Sequence, residues 1–359
     1  FEITVSDPHK IGDAMSAHVV YKVHTKTSQP GFDSEEYSVR RRYRDFEWLF
    51  NQLASTHPGV VIPPMPEKQS LGRFQDDFVE SRRFALEKYL RKISVHSLLQ
   101  ADDDFKIFLT SENFTIETRV RRPETSRGFF GVFGEVMSGS FSKYSETDEW
   151  FENRKDQLDA LESQLRSLLK AIDTTIKQRK ELAVAHGEFG QALRALGEAE
   201  ASPQLARSFE IFSELQDHLR QLQERQASFD VKTFESTTDE YIRTIGSIKL
   251  TLTARVKAYQ VWQADAAELH RKTSSYDRLR NQTRFRTDRT SQLQAEIGQL
   301  EIQTENHRHE FEDISTLIRA ELERFDREKV LDFKESAEQF LSSMVDHQQK
   351  VIRLWEAYL

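Results

Sequence analysis

The amino-acid sequence predicts an α+β domain, a three-stranded antiparallel sheet with helices, followed by an all-α region of three long helices. Three observations predict it. Short β-prone runs separated by turn residues occupy the N-terminal end of the chain. A proline-rich extended arm and two short helical patterns then complete a unit that ends at residue 114. From residue 148 onward, apolar residues recur at threes and fours with charged residues between them, and no proline occurs after Pro203.

Composition agrees with this division. At 359 residues the chain is long enough for roughly two domains. Charged residues make up 31% and hydrophobic residues 37%, with a mean hydropathy of -0.66. Those values are lean for one globular core and ordinary for long helices with exposed faces. The absence of cysteine excludes a disulfide scaffold and a thiolate metal site, and fits a reducing compartment. No run of about 18 apolar residues occurs, so no spanning helix is expected. The net charge of -8 argues against a general nucleic-acid binder, and any anionic partner must be met by local basic patches. The chain begins at Phe1, so a preceding N-terminal region is expected.

The strands are read at residues 1–5, 17–23 and 35–39, with Pro30 and Gly31 in a turn between the second and third. The third runs into VRRRYRDF at residues 39–46, where Arg40, Arg41 and Arg42 precede Tyr43 and a helix opens near Arg44. Trp48, Leu49, Phe50 and Leu53 give that helix an apolar face. A cationic cluster at such a junction can meet an anion directly, or it can be the solvated, aggregation-blocking charge of an edge strand. Residues 60–68 cannot be helical, because Pro63, Pro64 and Pro66 force an extended conformation that ends in Lys68. A helix follows from Phe78 to Ile93, carrying Arg82, Arg83, Lys88, Arg91 and Lys92, and a last short one spans residues 98–109.

The order of strand, RRYRDF, PPMPEK and ESRRFALEKYL resembles the phox-homology (PX) domain, a reader of phosphoinositides, over residues 1–114. The resemblance implies that Arg42 pairs with the 3-phosphate, Tyr43 packs under the inositol ring, Lys68 reaches the 1-phosphate and Arg82 bonds ring hydroxyls. The chemistry suits each residue: a guanidinium holds phosphate bidentately and an ammonium acts as a point charge. Arg40, Arg41 and Arg83 are read as a solvated or interface set, and Asp45, Phe46 and Leu86 as serving the fold. The loop at residues 69–74 is short for the family. Its Leu71 and Phe74 are read either as dipping into a membrane interface or as a hydrophobic staple for the next helix.

Residues 115–147 form a linker with an amphipathic segment at 127–144. Phe129, Phe130, Phe133, Val136, Met137 and Phe141 fall on one helical face, while the opposite face is mostly glycine and serine. Such a face folds on entering a membrane interface, or docks as a short helix on a neighbouring bundle.

Residues 148–359 carry three helical runs. The first, from Trp150, ends at Glu200; the second opens with Ser202 as cap and Pro203 at the first helical position; the third runs from Leu293 to Trp355. At their predicted lengths, about 80, 110 and 105 Å, they form a coiled coil or a long bundle. The segments DEWFENRKDQLDALESQLRSLLKAID, DEYIRTIGSIK, FDREKVLDFKESAEQFL and LWEAYL resemble the BAR region of the retromer-associated sorting nexins of fungal vacuolar protein sorting. That resemblance implies a three-helix antiparallel coiled coil that dimerises and bends membranes. Between His270 and Thr290, seven basic residues (Arg271, Lys272, Arg278, Arg280, Arg284, Arg286 and Arg289) face only Asp277 and Asp288, a local excess of five. They are read as membrane-facing charge at a helix turn near residues 281–288, or as a solvated run. Lys249, Arg255 and Lys257 are weaker candidates for a basic concave face.

No Walker loop, nucleophile elbow, HExxH or paired-glycine fingerprint is present, so no enzyme, cofactor or metal is expected. His307, Arg308 and His309, and Asp102, Asp103 and Asp104, are read as solvated. The reading as a whole is a cytoplasmic protein, peripheral on endosomal membranes, that binds phosphatidylinositol 3-phosphate, forms a homo- or heterodimer with a sorting nexin, works with the retromer trimer and binds no nucleic acid. The alternative is a coiled-coil scaffold whose PX-like domain does not bind lipid.

Overall fold

The structure, a computed structural model, describes residues 1–12, 17–68, 75–114, 146, 148–280 and 287–358. It divides into two compact units, Phe1–Ser145 with Gly246–Leu322, and Glu146–Ile245 with Glu323–Leu359. The expected boundary near residue 114 separates sheet from coil in sequence, whereas the first compact unit also takes in parts of two long helices.

In the first unit β1 (Glu2–Ile11), β2 (His18–Lys26) and β3 (Glu36–Arg42) form the expected antiparallel sheet in the order β1-β2-β3. Period-two alternation sets its inner face. Ile3 and Val5 of β1, Tyr21 and Val23 of β2, and Val39 of β3 are all buried. In the register, Val23 opposes both Val5 and Val39. Each strand runs longer than sequence suggests, because charged residues at the ends still pair along the ladder. A bulge between Ser6 and His9 holds Asp7 at φ 54°.

Helices α1 (Tyr43–Thr56), α2 (Asp76–Val95) and α3 (Asp103–Thr110) cover that face. Their Phe46, Leu49, Leu53, Leu86, Leu90, Ile93, Phe105 and Phe108 are fully buried in one core with the strands. Asp102 caps α3 through its carboxylate, which accepts from the Asp104 and Phe105 amides at 2.8 and 3.2 Å. His57 holds the same carboxylate at 2.8 Å, so Asp102 is a buried structural group and not a solvated one.

This α+β body packs on its unit's share of α6 (Ser236–Arg280) and α7 (Thr287–Tyr358). Gly59, at φ +100°, lies so close that an added Cβ would meet Ile314 Cα and O at 3.2 Å. Both oxygens of Glu321 are used: one accepts from the Val61 amide at 3.0 Å, the other lies 3.1 Å from His96 Nε2. Thr251 Oγ1 donates to the Val60 carbonyl. Along the two helices, Arg255 meets Ser315, Asp265 meets His307 and Lys272 meets Glu296, a descending series that makes them antiparallel.

The second unit holds α4 (Glu149–Ala199), α5 (Pro203–Asp230), a π-helical turn at Val231–Glu235, the start of α6 and the end of α7. Pro203 at the first position of α5 is the start signal expected from sequence, and α4 is capped by Asp148, whose carboxylate accepts from the Trp150 amide at 3.0 Å. Helices α4 and α5 form an antiparallel hairpin. Gly190 permits their close approach, since a Cβ there would meet the Ser213 carbonyl at 3.2 Å, and Ser213 Oγ donates to the Gly190 carbonyl at 2.7 Å. Against α7, the aromatic rings of Phe234 and Tyr241 pack on Phe333. Tyr241 also donates to Asp332 at 2.8 Å. A polar seam lies in this coil, where Arg179 of α4 meets buried Asp230 of α5 at 3.0 Å and Gln226 joins Asp230 to Ser343. The three-helix coiled coil with its middle helix antiparallel to its neighbours is therefore as expected.

Two expectations about arginines change. Arg41, read as part of a solvated or interface set, is 2% exposed and packed inside its own domain: its guanidinium donates to the carbonyls of Phe108, Arg40 and Ser111 at 2.9, 2.9 and 2.6 Å. Strand alternation is the reason, because Arg41 shares the inward side with Val39. Arg255, read as a concave-face cation, is 4% exposed and lies over the Phe311 ring. It stands three residues after Leu252, within the apolar stripe.

Candidate anion-binding site

β3 ends at Arg42, which is also the N-cap of α1 and whose backbone amide donates to Asp45 Oδ2 at 2.8 Å. This carboxylate cap leaves the Arg42 side chain 38% exposed, with Nε 3.4 Å from Asp45 Oδ1. Tyr43 starts α1 and reaches across to the proline arm, where its hydroxyl donates to the Pro66 carbonyl at 2.7 Å. The arm then delivers Glu67 and Lys68. Arg82, on α2, donates to the Glu67 carbonyl at 2.8 Å. Its guanidinium lies 4.6 Å from the centre of the Tyr43 ring and 4.3 Å from that of Phe78.

Of the four residues singled out in the sequence, Tyr43, Lys68 and Arg82 are gathered at the proline arm, while the Arg42 side chain meets Asp45. Arg42 and Tyr43 are adjacent, Tyr43 touches both the arm and Arg82, and Lys68 follows the carbonyl that Arg82 holds. Lys68 Nζ closes the ring of contacts back to α1, 3.0 and 3.3 Å from the two oxygens of Glu47. Lys68 stays 64% exposed. Burial pushes the Tyr21 phenol up, and the nearby Arg82 charge partly opposes that rise. Sequence reasoning missed Glu47 and the role of Phe78 as a second ring under Arg82. Phe78 was legible, standing four residues before Arg82 on one helix. Glu47 was not, since its partner is 21 residues away across a proline arm.

Arg83, adjacent to Arg82, faces elsewhere. It donates to the Val5 carbonyl at 2.8 Å and pairs with Glu80 and Glu87. With Arg91 on the Ile3 carbonyl and Glu87 accepting the Val5 amide, it satisfies the outer edge of β1.

The second candidate site is the end of α6. Arg278 and Arg280 are exposed in its last turn, where cations suit the helix dipole. Arg271 pairs with Glu268, and Lys272 with Glu296 at 2.9 Å and Glu268 at 3.9 Å. Lys272 holds the Glu296 carboxyl below its ordinary range. Two of the seven basic residues are therefore matched by acids just outside the counted stretch. Arg284 and Arg286 lie outside the described residues, as does the side chain of Arg289. So do Leu71, Phe74, Phe129, Phe130, Phe133, Val136 and Met137, the expected membrane-inserting set, with the whole amphipathic segment.

Among the described residues no group of three or more His, Asp or Glu side chains could hold a metal ion, and no helix is long and apolar enough to cross a membrane.

A family model described as PX domain matches residues 29–112, and one described as Vps5 C terminal like matches residues 126–359. The chain belongs to the PX-BAR sorting nexin family. Among curated sorting nexins and their kin, the vacuolar protein sorting-associated protein vps5 of Schizosaccharomyces pombe is 35% identical over 374 residues, covering 100% of this chain. Sorting nexin-1 of Rattus norvegicus is 33% identical over 375 residues, and sorting nexin-2 of Bos taurus 33% over 372. The chain spans 65% of the length of the yeast relative, 72% of the first sorting nexin and 71% of the second. Of solved structures, the cryo-EM structure of the SNX-BAR Mvp1 tetramer matches with a TM-score of 0.73 over 99% of each chain at 16% identity, a likeness of fold.

Proposed function

We propose that this sorting nexin is a peripheral membrane protein that binds phosphatidylinositol 3-phosphate through Arg42, Tyr43, Lys68 and Arg82. In this reading it dimerises through its helical coil, senses or generates curvature and coats tubules in retromer-linked sorting at endosomes. The observation that carries it is the gathering of Lys68, Arg82 and the Tyr43 ring at the end of a stiff proline arm, with Arg42 next to Tyr43 in the chain. A guanidinium at a helix start, an ammonium and a second guanidinium match the separate oxyanions of a phosphorylated sugar, and the Tyr43 ring supplies the apolar floor.

Dimerisation is supported by apolar side chains left exposed on the second unit's helices, among them Val184, Phe189 and Leu196 of α4 and Leu341, Val345 and Ile352 of α7. Such a concentration on one coil is the signature of an interface. One headgroup pocket binds weakly, so a dimer with two pockets, the exposed Arg278 and Arg280, and the linker's apolar face together supply avidity.

Vesicle co-sedimentation tests the pocket. Arg42→Ala is expected to lose the excess binding to vesicles carrying the 3-monophosphate over phosphatidylcholine alone. Unchanged binding refutes the assignment and leaves the scaffold reading.

A further inference from the structure

Two of the three pocket cations already face carboxylates: Lys68 pairs with Glu47, and Arg42 with Asp45. Arg82 rests on a backbone carbonyl and two rings. A headgroup with one phosphomonoester and its diester link brings about -2.5 to -3, and every further phosphate adds about -1.5 to -2.

The two carboxylates differ in duty. Asp45 Oδ2 accepts the Arg42 amide and so caps α1, which ties it to the fold. Glu47 has no such task; among the described residues its partner is Lys68 alone. It is 26% exposed, on the face of α1 turned toward the proline arm. Any headgroup that engages Lys68 lies entirely within about one Debye length, roughly 8–10 Å, of the Glu47 charge.

The geometry points to Glu47 as a specificity-determining residue: a fixed negative charge beside the Lys68 ammonium that limits the pocket to singly phosphorylated headgroups and penalises those with more phosphates. It rests on the headgroup reading above and adds to it a residue outside the predicted ligand set. An exposed Lys–Glu pair is worth at most about fivefold in an equilibrium, so sharing Lys68 with one phosphate is nearly neutral. The same charge acts again on each added phosphate.

The test is co-sedimentation of the full chain, wild type and Glu47→Gln, with phosphatidylcholine vesicles carrying the 3-monophosphate, the 3,5-bisphosphate or the 3,4,5-trisphosphate. Binding is counted in excess of that shown by Arg42→Ala on the same vesicles, which removes the contribution of the coil's basic surface. Glu36→Gln, at the opposite end of β3 and about 20 Å from Arg42, is the charge-matched control. Glu47→Gln is expected to change 3-monophosphate binding by less than about twofold and to raise binding about two- to fivefold per added phosphate, with Glu36→Gln leaving the ratio unmoved. An unchanged ratio in Glu47→Gln, or an equal change in Glu36→Gln, overturns the inference while the pocket stands. If Arg42→Ala binds as well as wild type, the headgroup reading itself fails and this inference falls with it.

Discussion

Arg41 and Arg42 are neighbours on one strand with opposite environments, and replacing each with alanine separates folding from binding. Arg41 is 2% exposed and donates to three backbone carbonyls, two of them at the end of α3, with its guanidinium 4.3 Å from the centre of the Phe114 ring and 5.3 Å from that of Phe108. Removing the side chain leaves the Phe108 and Ser111 carbonyls without their charged donor and opens a cavity under two rings. Hydrogen bonds to a charged group contribute about 1.5–3 kcal/mol each, and breaking a buried charged network costs about 3–5 kcal/mol in all. For a body of this size that lowers Tm by roughly 2–4 °C per kcal/mol, so a drop on the order of 10 °C is expected for Arg41→Ala. Arg42, at 38% exposure and with a distant side-chain contact to Asp45, contributes well under 1 kcal/mol through that pair. Arg42→Ala is therefore expected to keep the wild-type Tm while losing headgroup binding. Differential scanning calorimetry of both variants, alongside vesicle co-sedimentation, reads the contrast. An Arg41→Ala melt within about 2 °C of wild type refutes the buried-network account, because no surface arginine needs three carbonyls.

Three further outcomes follow from other parts of the chain. Gly59→Ala combines a left-handed φ with a Cβ held 3.2 Å from the α7 backbone, so it is expected to lower stability by about 1–3 kcal/mol and to raise amide exchange at Val61. Glu235, the last residue of the π-helical turn, is pushed up to about 7 by burial first and by Asp173 and Asp239 next. Its folded value lies above the ordinary 4.5, so the folded state holds a proton the unfolded state releases, and stability falls as pH rises from about 4.5 to about 7. Glu235→Gln should therefore melt higher than wild type at pH 8, and the gap should close near pH 4.5; a gap independent of pH would show that the carboxyl is not the cause. Reversing Arg284 and Arg286 to glutamate is expected to abolish vesicle tubulation in electron micrographs without shifting Tm, and raising salt should mimic it in part.

Much of this was legible because the signals are local. Alternation of Ile3 and Val5, and of Tyr21 and Val23, specifies an inward strand face; the Ser202–Pro203 pair marks a helix start; the missing prolines after residue 203 allow uninterrupted helices. Arg41 and Arg255 were misread although the same rules apply to them, since one shares a strand face with Val39 and the other sits in the Leu252–Val256 stripe. Charge was allowed to outweigh position. A buried guanidinium is tolerated at each site because carbonyls, a hydroxyl or an aromatic ring are waiting for it.

Sequence by itself determined the strands, the long helices, the proline arm and the family register of Arg42, Tyr43, Lys68 and Arg82, because each depends on neighbours within a few residues along the chain. Only the tertiary structure decided that the Phe108 carbonyl receives Arg41, that Glu47 holds Lys68, and that Glu321 receives both Val61 and His96. Those partners lie 67, 21, 260 and 225 residues apart. A hydrogen bond requires its atoms within about 3 Å of each other, and at such separations only the folding of the whole chain brings them there.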